Sequence, residues 1–343
     1  MKITVSAESF GDYKIRLMKE EDAPGVVNLY RTIYGDHYPI KEMYDPQYII
    51  DQQDAGLMYR VLVVDASGKV LAQEALYRLG ETYQGMYESG QGMVLREHRA
   101  KGFNDVMLGY IMKVLIPAVG VEEWWGETVT NHVFMQKSGI KTGAKEWGIE
   151  LEIMPADSYE AEQSAKGRVS AVVQSVAFRD KSHTVFLPVP YQEILRKLYD
   201  AGKRERQFEA SAEALPEAGQ TRCTETYIAG AGVLRMTVLE AGPDAEEVIA
   251  RAVKKYIAAG AVVLQAFLPL DKPWVGALTE VLNRQGFFFS AVMPRWFNAD
   301  ALLLQKLVMP TDYNNIQIYS DFAKDLLQFI IKDRQRVEAQ STK

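Results

Sequence analysis

The chain has 343 residues, about twice the length of a typical domain, so we expect two domains that each bury a core. Its 48% hydrophobic and 24% charged residues are the balance of an ordinary globular protein. The 39 Lys and Arg against 45 Asp and Glu leave a net charge of −6, which excludes a generally basic surface that binds nucleic acid. The single cysteine, Cys223, excludes an internal disulfide framework, and the four histidines lack metal-ligand spacing, so we expect no metal site.

No apolar run approaches the roughly 18 residues that a membrane span requires. The first residues also lack the long apolar core of a signal peptide. We therefore expect a cytoplasmic protein with no membrane partner, and a reducing compartment suits a chain with one cysteine.

The first half alternates strand-like and helix-like patterns. Apolar residues alternate with polar ones in the strand segments, whereas they recur every three or four positions in the helix segments. The predicted elements, in chain order, are a strand at 13–18, a helix at 20–33, an aromatic loop at 34–46, strands at 59–65, 69–77 and 84–96, a helix at 104–114, a strand at 122–129, a helix at 131–142 and a strand at 147–154.

A polar segment at 154–166 predicts a linker between domains at 1–155 and 165–343. Beyond it, the pattern repeats the later part of the first half. Gly143 and Gly286, which are 143 residues apart, are each predicted to end a helix in the left-handed conformation. The predicted elements are strands at 170–178 and 182–187, a helix at 191–199, a mobile stretch at 209–221, a strand at 232–239, a helix at 244–258, a strand at 262–268, a helix at 274–284, a strand at 287–293 and a final helix at 320–336.

The stretch at 92–108 (GMVLREHRAKGFNDVML) is the most informative part of the sequence, because an apolar strand end runs through a short basic turn into a helix. Such a turn binds phosphate, since the unpaired N–H groups and the dipole of the first helical turn both attract an anion. Gly102 lets the backbone approach closely, and Arg96, Arg99 and Lys101 add positive charge. The sequence therefore predicts a phosphate-binding turn, with strand-end amides that could pair with an extended ligand.

Val94 followed by the segment at 99–104 (RAKGFN) resembles the V-x-x-x-x-R/Q-x-x-G-x-G/A signature of the GNAT superfamily of N-acetyltransferases, and the order of elements over 13–154 is similar to that family's fold. The resemblance implies that the loop holds the pyrophosphate of acetyl-CoA and that the preceding strand pairs with its pantetheine arm. Asn104 departs from the signature, which has a small residue there. The residues implied to bind acetyl-CoA are Met93, Val94, Leu95, Arg99, Ala100, Lys101, Gly102, Phe103 and Asn104.

The segment at 130–137 (TNHVFMQK) resembles the T-x-H-x-x-S-Q pattern of a GNAT subgroup, with Met135 in place of the serine. By this resemblance His132 is a further candidate for cofactor binding, although a histidine here is also typical of a structural or pocket-lining residue. The family's frequent general acid is a tyrosine four residues before the helix-ending glycine, and this position is Gly139. The resemblance therefore leaves the proton donor for the leaving thiolate unidentified.

Transfer to an amine requires a base that removes a proton from the attacking ammonium. In several GNAT enzymes this base is a glutamate eleven residues before the loop arginine, and Glu88 stands at that position. Strand alternation predicts that Glu88 shares a face with Gly90, Gly92 and Val94, and the two glycines would leave room for an acceptor beside the carboxylate. Glu127 on the next strand is the alternative base, and a strand glutamate is also commonly solvated or paired with an arginine.

The other reacting groups are less specific in the sequence. The backbone N–H of Val94 or of Leu95 is the candidate donor to the thioester carbonyl. In the second half, the turn equivalent to the phosphate loop is 240–247 (EAGPDAEE), which is acidic and would repel pyrophosphate. The resemblance thus implies a tandem GNAT architecture of class α+β, with a degenerate second copy and with each half a mixed, mostly antiparallel sheet flanked by helices.

The function implied is an N-acetyltransferase that moves an acetyl group from acetyl-CoA directly to an amine of a small molecule or a protein, without a metal. Asn104, Gly139 and the acidic second turn equally suit a non-catalytic protein of the same fold that senses CoA or another ligand, or that serves as a scaffold. The aromatic loop at 35–44 is a candidate wall of the acceptor site, or a packed surface loop. Sheet edges and the final amphipathic helix make a homodimer a further expectation.

Overall fold

The structure is a computed structural model, and it describes residues 3–38, 40–78, 82–155, 165 and 167–341. Its strands are β1 (Glu8–Phe10), β2 (Tyr13–Leu17), β3 (Met58–Val64), β4 (Val70–Arg78), β5 (Met86–Val94), β6 (Glu123–Val129), β7 (Lys145–Met154), β8 (Val169–Ala177), β9 (His183–Leu187), β10 (Arg206–Ala210), β11 (Arg222–Ile228), β12 (Val233–Glu240), β13 (Val263–Pro269), β14 (Phe288–Met293) and β15 (Ala301–Leu307). Its helices are α1 (Ala23–Tyr34), α2 (Pro46–Asp54), α3 (Phe103–Tyr110), α4 (Ile116–Val119), α5 (Phe134–Lys141), α6 (Gln192–Gly202), α7 (Ala245–Ala258), α8 (Val275–Arg284) and α9 (Asp321–Ser341).

Thirteen strands of the described residues form one continuous sheet, in the order β1-β2-β3-β4-β5-β6-β8-β7-β14-β15-β13-β12-β11. Neighbouring strands are antiparallel except for the pairs β5–β6 and β12–β13, which are parallel. The remaining strands, β9 and β10, form a separate parallel pair. The predicted fold class, α+β with a mixed, mostly antiparallel sheet flanked by helices, is confirmed.

The strand order is mirrored about the junction of β7 with β14. From each end of the sheet towards this junction, a parallel pair is followed first by a strand that comes later in the sequence and then by one that comes earlier. The order is β5-β6-β8-β7 in the first half and β12-β13-β15-β14 in the second. Gly143 and Gly286, which end the helices before the junction strands, have φ angles of 91° and 88°. The prediction that both glycines end helices in the left-handed region is therefore confirmed.

Strand β8 lies across the predicted domain boundary. It follows residue 165 in the sequence, yet it pairs on one side with β6 and on the other with β7, both strands of the first half. The sheet of the first half is therefore complete only with a strand from beyond 165. The division into 1–155 and 165–343 stays a prediction, and most of the predicted linker at 154–166 lies outside the described residues.

Two neighbouring tryptophans divide the interior. Successive side chains of a strand point to opposite faces, so Trp124 belongs to the hydrophobic core of the first half while Trp125 belongs to that of the second half. There the Trp125 ring meets Trp296, with 6.3 Å between the ring centroids. The final helix, α9, packs on β7 and β14 together and so covers the junction, as its apolar stripe predicts.

Several elements were not evident in the sequence. Helix α2 is short and mostly polar, and it begins at Pro46, where the Asp45 carboxylate accepts a hydrogen bond from the Gln47 N–H. Strand β11 is half exposed throughout, so it lacks the buried positions that mark a strand. The stretch predicted to be mobile, 209–221, begins within β10. Its Ser211 is held by two hydrogen bonds, since the hydroxyl donates to the Pro273 carbonyl at 2.6 Å and accepts from the Gly276 N–H at 2.7 Å.

The two halves meet closely at one glycine. Gly148 of β7 is paired with Ala291 of β14, and a Cβ atom at Gly148 would overlap the Ser290 carbonyl oxygen and the Ala291 backbone. Two hydrogen bonds flank this contact: the Ser290 hydroxyl donates to the Ile149 carbonyl at 2.9 Å, and the Leu151 N–H donates to the Gln305 amide oxygen at 3.0 Å. The continuous sheet therefore depends on a position that has no side chain.

We expect Gly148→Val to destabilise the protein by about 2–3 kcal/mol, because the added atoms force β7 and β14 apart. Gly109→Ala is the matched control, since Gly109 lies in α3 with no atom within 4 Å of an added Cβ, and alanine favours a helix. Urea unfolding measures both variants. Equal urea midpoints for Gly148→Val and the natural protein would contradict this expectation, because the junction would then tolerate a wider separation of β7 from β14.

Candidate functional site

The predicted phosphate-binding turn is an exposed loop that leads into α3. A short 3₁₀ turn at Arg96–His98 is followed by Ala100 and Gly102, which both have left-handed backbones with φ angles of 63° and 82°. Helix α3 begins at Phe103, and no side chain caps its first turn. The first N–H groups of α3 and the positive end of its dipole therefore face the loop, as an anion site requires.

Positive side chains surround this helix start. Arg99 is exposed, and its Nε donates to the Val94 carbonyl at 3.3 Å. Lys101 is also exposed, and its Nζ donates to the Tyr13 hydroxyl at 2.8 Å. One carboxylate, Asp105, stands in the first turn of α3, but it is turned to α5, where Lys141 approaches it at 3.1 Å.

The remaining residues of the loop have mixed surroundings. Phe103 is buried and packs edge-on against Phe10 and Tyr13, so it anchors the loop rather than contacting a ligand. Asn104 is partly buried, and its Oδ1 accepts no hydrogen bond, so the residue that departs from the family signature has an unsatisfied oxygen at the helix start. A ligand that donates a hydrogen bond there would satisfy this oxygen.

His132 lies at the same edge of the sheet as the loop. Strands β5 and β6 are parallel, so the loop after β5 and the turn after β6 leave the sheet at neighbouring strand ends. The His132 ring packs against Phe134, with 5.3 Å between centroids. Gln136 holds this turn, because its Nε2 donates to the carbonyls of Val129 and Gln317, at 3.2 and 2.9 Å.

The parallel strands β5 and β6 separate within the sheet. Their pairing covers only Met86–Glu88 against Glu123–Trp125, although β5 continues to Val94 and β6 to Val129. The equivalent pair of the second half, β12 and β13, stays paired over five positions, from Val233 to Thr237. The parallel strands thus separate after three paired positions in the first half and after five in the second, and the earlier separation lies next to the start of α3.

A β-bulge lies on the edge of this opening. The register between β4 and β5 shifts between Gln73 and Ala75, because β5 has one extra residue there. Gln91 lies in this bulge and has a φ angle of 57°. The bulge reverses the alternation of β5, because an added residue turns every later side chain to the other face. The prediction that Glu88, Gly90, Gly92 and Val94 share a face is therefore wrong beyond Gly90. Met93, which is paired with Gln73, lies on the Glu88 face, where the spacing predicts Val94.

The space predicted beside the two glycines is occupied by other side chains. A Cβ atom at Gly90 would lie 2.8 Å from the Tyr77 hydroxyl, and one at Gly92 would overlap the Glu74 carboxylate. Glu74 is fully buried, and its Oε2 has no hydrogen-bond partner. Burial alone raises the pKa of Glu74 to about 8.

Of the two amides that are candidate donors to a thioester, one is engaged elsewhere. The Leu95 N–H donates to the Leu71 carbonyl at 3.0 Å. Because N–H groups of successive residues on an antiparallel strand point to opposite edges, the Val94 N–H points away from β4 and towards the opening. Val94 therefore remains as the candidate donor.

Glu88, the candidate base, is 5% exposed and lies beside Tyr77, its partner on β4. Burial raises its pKa well above the usual value, and the nearby charge of Glu127 raises it further, whereas Tyr77 and Arg235 lower it. A carboxyl group with a raised pKa is suited to exchange protons near neutral pH. The two glutamates that the sequence offers as alternatives are thus neighbours in one cluster.

The second half contributes to this cluster through Arg235 on β12. Its guanidinium forms an ion pair with Glu127 and approaches Glu150 at 3.7 Å. Gln265 links the same groups, because its amide oxygen accepts from the Arg235 Nε at 3.0 Å and its Nε2 donates to Glu150 at 2.6 Å. Arg235, Glu150 and Gln265 were not predicted from the sequence, although a charged residue inside an otherwise apolar strand is a visible signal of a buried polar site.

The expected position of a general acid cannot hold one. A Cβ atom at Gly139 would overlap the side-chain amide of Gln174, so a tyrosine does not fit there. In the ranges that the structure describes, no three His, Cys, Asp or Glu side chains are grouped so that they could hold a metal ion. None of the described helices combines the length and the apolar character needed to cross a membrane.

Three solved structures similar to this chain are described as acetyltransferases, and each aligns with about half of it. The ribosomal-protein-S5-alanine acetyltransferase of Vibrio fischeri is 13% identical over 51% of this chain and 98% of its own, with a TM-score of 0.39. An N-acetyltransferase of Staphylococcus aureus Mu50 is 14% identical over 49% and 99%, with a TM-score of 0.41. The protein yncA of Salmonella typhimurium, solved with acetyl-CoA, is 11% identical over 50% and 96%, with a TM-score of 0.39. At these TM-scores the likeness carries no argument about function.

No family model matches the sequence, and no curated protein matches it.

We expect the buried Glu74 to make stability fall as the pH rises. Its folded pKa of about 8 exceeds the usual value of 4.5, so its contribution is complete below pH 4.5 and is lost as the pH rises through 8. Glu74→Gln should therefore melt at or near the natural temperature at pH 5 and at a higher temperature at pH 9. Glu193→Gln, at an exposed position on α6, is the control. If the difference in melting temperature between Glu74→Gln and the natural protein were the same at pH 5 and at pH 9, the raised pKa of Glu74 would be contradicted.

Proposed function

We propose that the first half binds acetyl-CoA and transfers its acetyl group directly to an amine, as in the GNAT superfamily. The observation that carries the proposal is the separation of β5 from β6 beside the uncapped, basic start of α3. An extended ligand with a pyrophosphate requires both features together: a strand edge for its amide-containing arm and a helix start for its phosphates. The sequence resemblance at 94–104 places the family signature at this same point.

The residues of the opening fit acetyl-CoA. In this proposal the first N–H groups of α3, Arg99 and Lys101 hold the pyrophosphate, and Ala100 and Gly102 shape the loop that brings the backbone close. The edge of β5 at Met93 and Val94 pairs with the pantetheine arm, while Leu95 supports the strand end by its bond to β4. His132 borders the cofactor at the neighbouring strand end.

Acetyl-CoA, when bound, supplies an acetyl group activated as a thioester. Glu88 accepts the proton that the acceptor ammonium must lose before its nitrogen can attack. The Val94 N–H stabilises the negative charge that develops on the carbonyl oxygen. The bond from carbon to nitrogen forms, the nitrogen releases its second proton to solvent, and the bond from carbon to sulfur breaks. The thiolate takes its proton from solvent, since position 139 carries no acid.

We further propose that the second half is a copy of the same fold that does not bind CoA. It has the mirrored strand order, but β12 and β13 stay paired where β5 and β6 separate. Its turn is also held closed, because the Asp244 carboxylate accepts from the Thr221 N–H at 2.8 Å and Glu240 pairs with Arg222. The second half contributes Arg235 to the glutamate cluster of the first half.

We expect acetyl-CoA to stabilise the protein. Free ligand at about 100 times its Kd adds about 2.7 kcal/mol to the free energy of unfolding. Arg99→Glu should weaken binding at least about tenfold, because a charge-assisted hydrogen bond becomes a repulsion. Lys113→Glu makes a charge reversal at an exposed site farther along the same helical segment and should leave binding unchanged.

Thermal shift and calorimetry with acetyl-CoA and with CoA measure these effects. An absence of binding in the natural protein would refute the proposal outright. Equal weakening by Arg99→Glu and Lys113→Glu would mean that net charge, rather than the loop, attracts the ligand.

We expect Glu88→Gln to lower kcat by a factor of about 10²–10⁴, because the base is removed while the shape of the side chain is kept. In the natural protein kcat/KM should rise with pH as Glu88 loses its proton, and this limb should disappear in the variant. Release of the CoA thiol over a panel of amines measures both quantities, with Glu193→Gln as the control. Tight acetyl-CoA binding with no turnover on any amine would instead favour the ligand-sensing function, which the burial of Glu88 also suits.

A further inference from the structure

Arg60, on β3, is a buried cation without a carboxylate partner among the described residues. Its side chain is 1% exposed, its Nη2 donates to the sulfur of Met43 at 3.1 Å, and its guanidinium also interacts with the Tyr30 hydroxyl. Its Nε and Nη1 make no hydrogen bond. A guanidinium has five N–H donors and stays charged in proteins, so this side chain is largely unsatisfied.

Other buried arginines of the described chain have acidic partners. Arg204 pairs with Glu123 at 2.6 Å, Arg206 with Asp300 at 2.7 Å and Arg295 with Glu122 at 3.1 Å. An unpaired buried charge costs several kcal/mol, whereas a paired one recovers much of that cost. Arg60 therefore has the environment of a group whose partner is brought by a ligand.

The strand register places Arg60 on the same face as Glu88. Arg60 is paired with Ala75 on β4, and Ala75 is paired with Gly90 on β5, two residues from Glu88. Paired residues share a face, and neighbouring strands are about 4.8 Å apart, so the Cα atoms of Arg60 and Gly90 lie about 10 Å apart. The paired position between them is Ala75, whose side chain is a single methyl group, and the line from the guanidinium across Ala75 to the carboxyl group is called the trough.

Tyrosine rings form the cover of this trough. The rings of Tyr30 and Tyr38 lie 4.9 Å apart, and the Tyr77 hydroxyl stands over Gly90. Burial raises the pKa of Tyr38, while Arg60 lowers it and Glu88 raises it, so this phenol lies within reach of both charges. Tyr38 stands on the aromatic loop that the sequence predicts as a wall of the acceptor site, and an acceptor enters the trough by displacing its ring.

We propose that Arg60 binds the carboxylate of the acceptor, so that the amine acetylated by this protein belongs to an amino acid. The inference rests on the proposed acetyl transfer and names its substrate class. A planar guanidinium matches a carboxylate with two parallel hydrogen bonds. The two ends of a zwitterion then meet complementary groups, its carboxylate at Arg60 and its ammonium at Glu88. An amine without an acidic group leaves Arg60 unsatisfied.

Matched pairs of acceptors test the substrate class. The twenty protein amino acids and ornithine are each compared with the amine that remains after removal of the α-carboxylate, such as ornithine with putrescine. We expect at least one amino acid to be acetylated with a kcat/KM about 100-fold above that of its matched amine. Equal rates within every pair, or a preference for the amines, would overturn the inference.

Two substitutions separate binding from a structural role. Arg60→Met should bring kcat/KM for the preferred amino acid down to that of its amine, and should leave acetyl-CoA binding unchanged. The ligand-free variant should melt at the natural temperature or above it, because an unpaired buried charge is removed. Arg204→Met is the matched control and should lower the melting temperature, since it leaves Glu123 buried without its partner. A comparable loss of stability in Arg60→Met would identify Arg60 as a structural cation.

Amino-acid binding without acetyl-CoA distinguishes this inference from the proposed function. Calorimetry on the full chain should detect an amino acid whose binding is lost in Arg60→Met and partly retained in Arg60→Lys, which keeps the charge but loses the planar geometry. If acetyl-CoA binds and no amino acid does, the substrate class is wrong and the acetyl transfer stands. If an amino acid binds through Arg60 and acetyl-CoA does not bind, the acetyl transfer is wrong and the carboxylate site stands.

Discussion

The close contact of β7 with β14 at Gly148 is the constraint on which the rest of the molecule depends. Because no side chain separates the strands there, two smaller sheets become one, and the strand order is mirrored across the contact. With the two sheets joined, Arg235 on β12 reaches Glu127 on β6, although five strands lie between β6 and β12 in the strand order. A polar cluster in the middle of the protein thus has its origin in a backbone contact elsewhere.

The two halves contribute different groups to the region around that cluster. The first half has the opening between parallel strands, the basic loop and the candidate base. The second half closes the equivalent opening with ladder hydrogen bonds and supplies an arginine that balances part of the negative charge of Glu88, Glu127 and Glu150. Without this cation the two buried glutamates, Glu88 and Glu150, and the partly buried Glu127 would repel one another strongly when ionised, because charges interact over longer distances in a protein interior than in water.

Local patterns predicted much of this architecture. Alternation and helical spacing identified most strands and helices, and the two helix-ending glycines revealed the repeat, because these signals lie within a few neighbouring residues. The bulge at Gln91 was not predictable, since it depends on how β4 and β5 align, and it reversed the face expected for Gly92. The roles inferred for Arg235 and Arg60 depend on which side chains of distant strands do or do not pair with them. The spacing of residues along the chain does not encode such contacts.

The insertion of β8 between β6 and β7 has a consequence for the newly made chain. Until residue 177 has left the ribosome, β6 and β7 each present an unpaired backbone edge, and such edges associate readily with other chains. A fragment that stops at 155 would keep both edges permanently exposed. The smallest piece of the first half that can close its own sheet therefore extends to Ala177, and synthesis of the second half begins before the first has a finished surface.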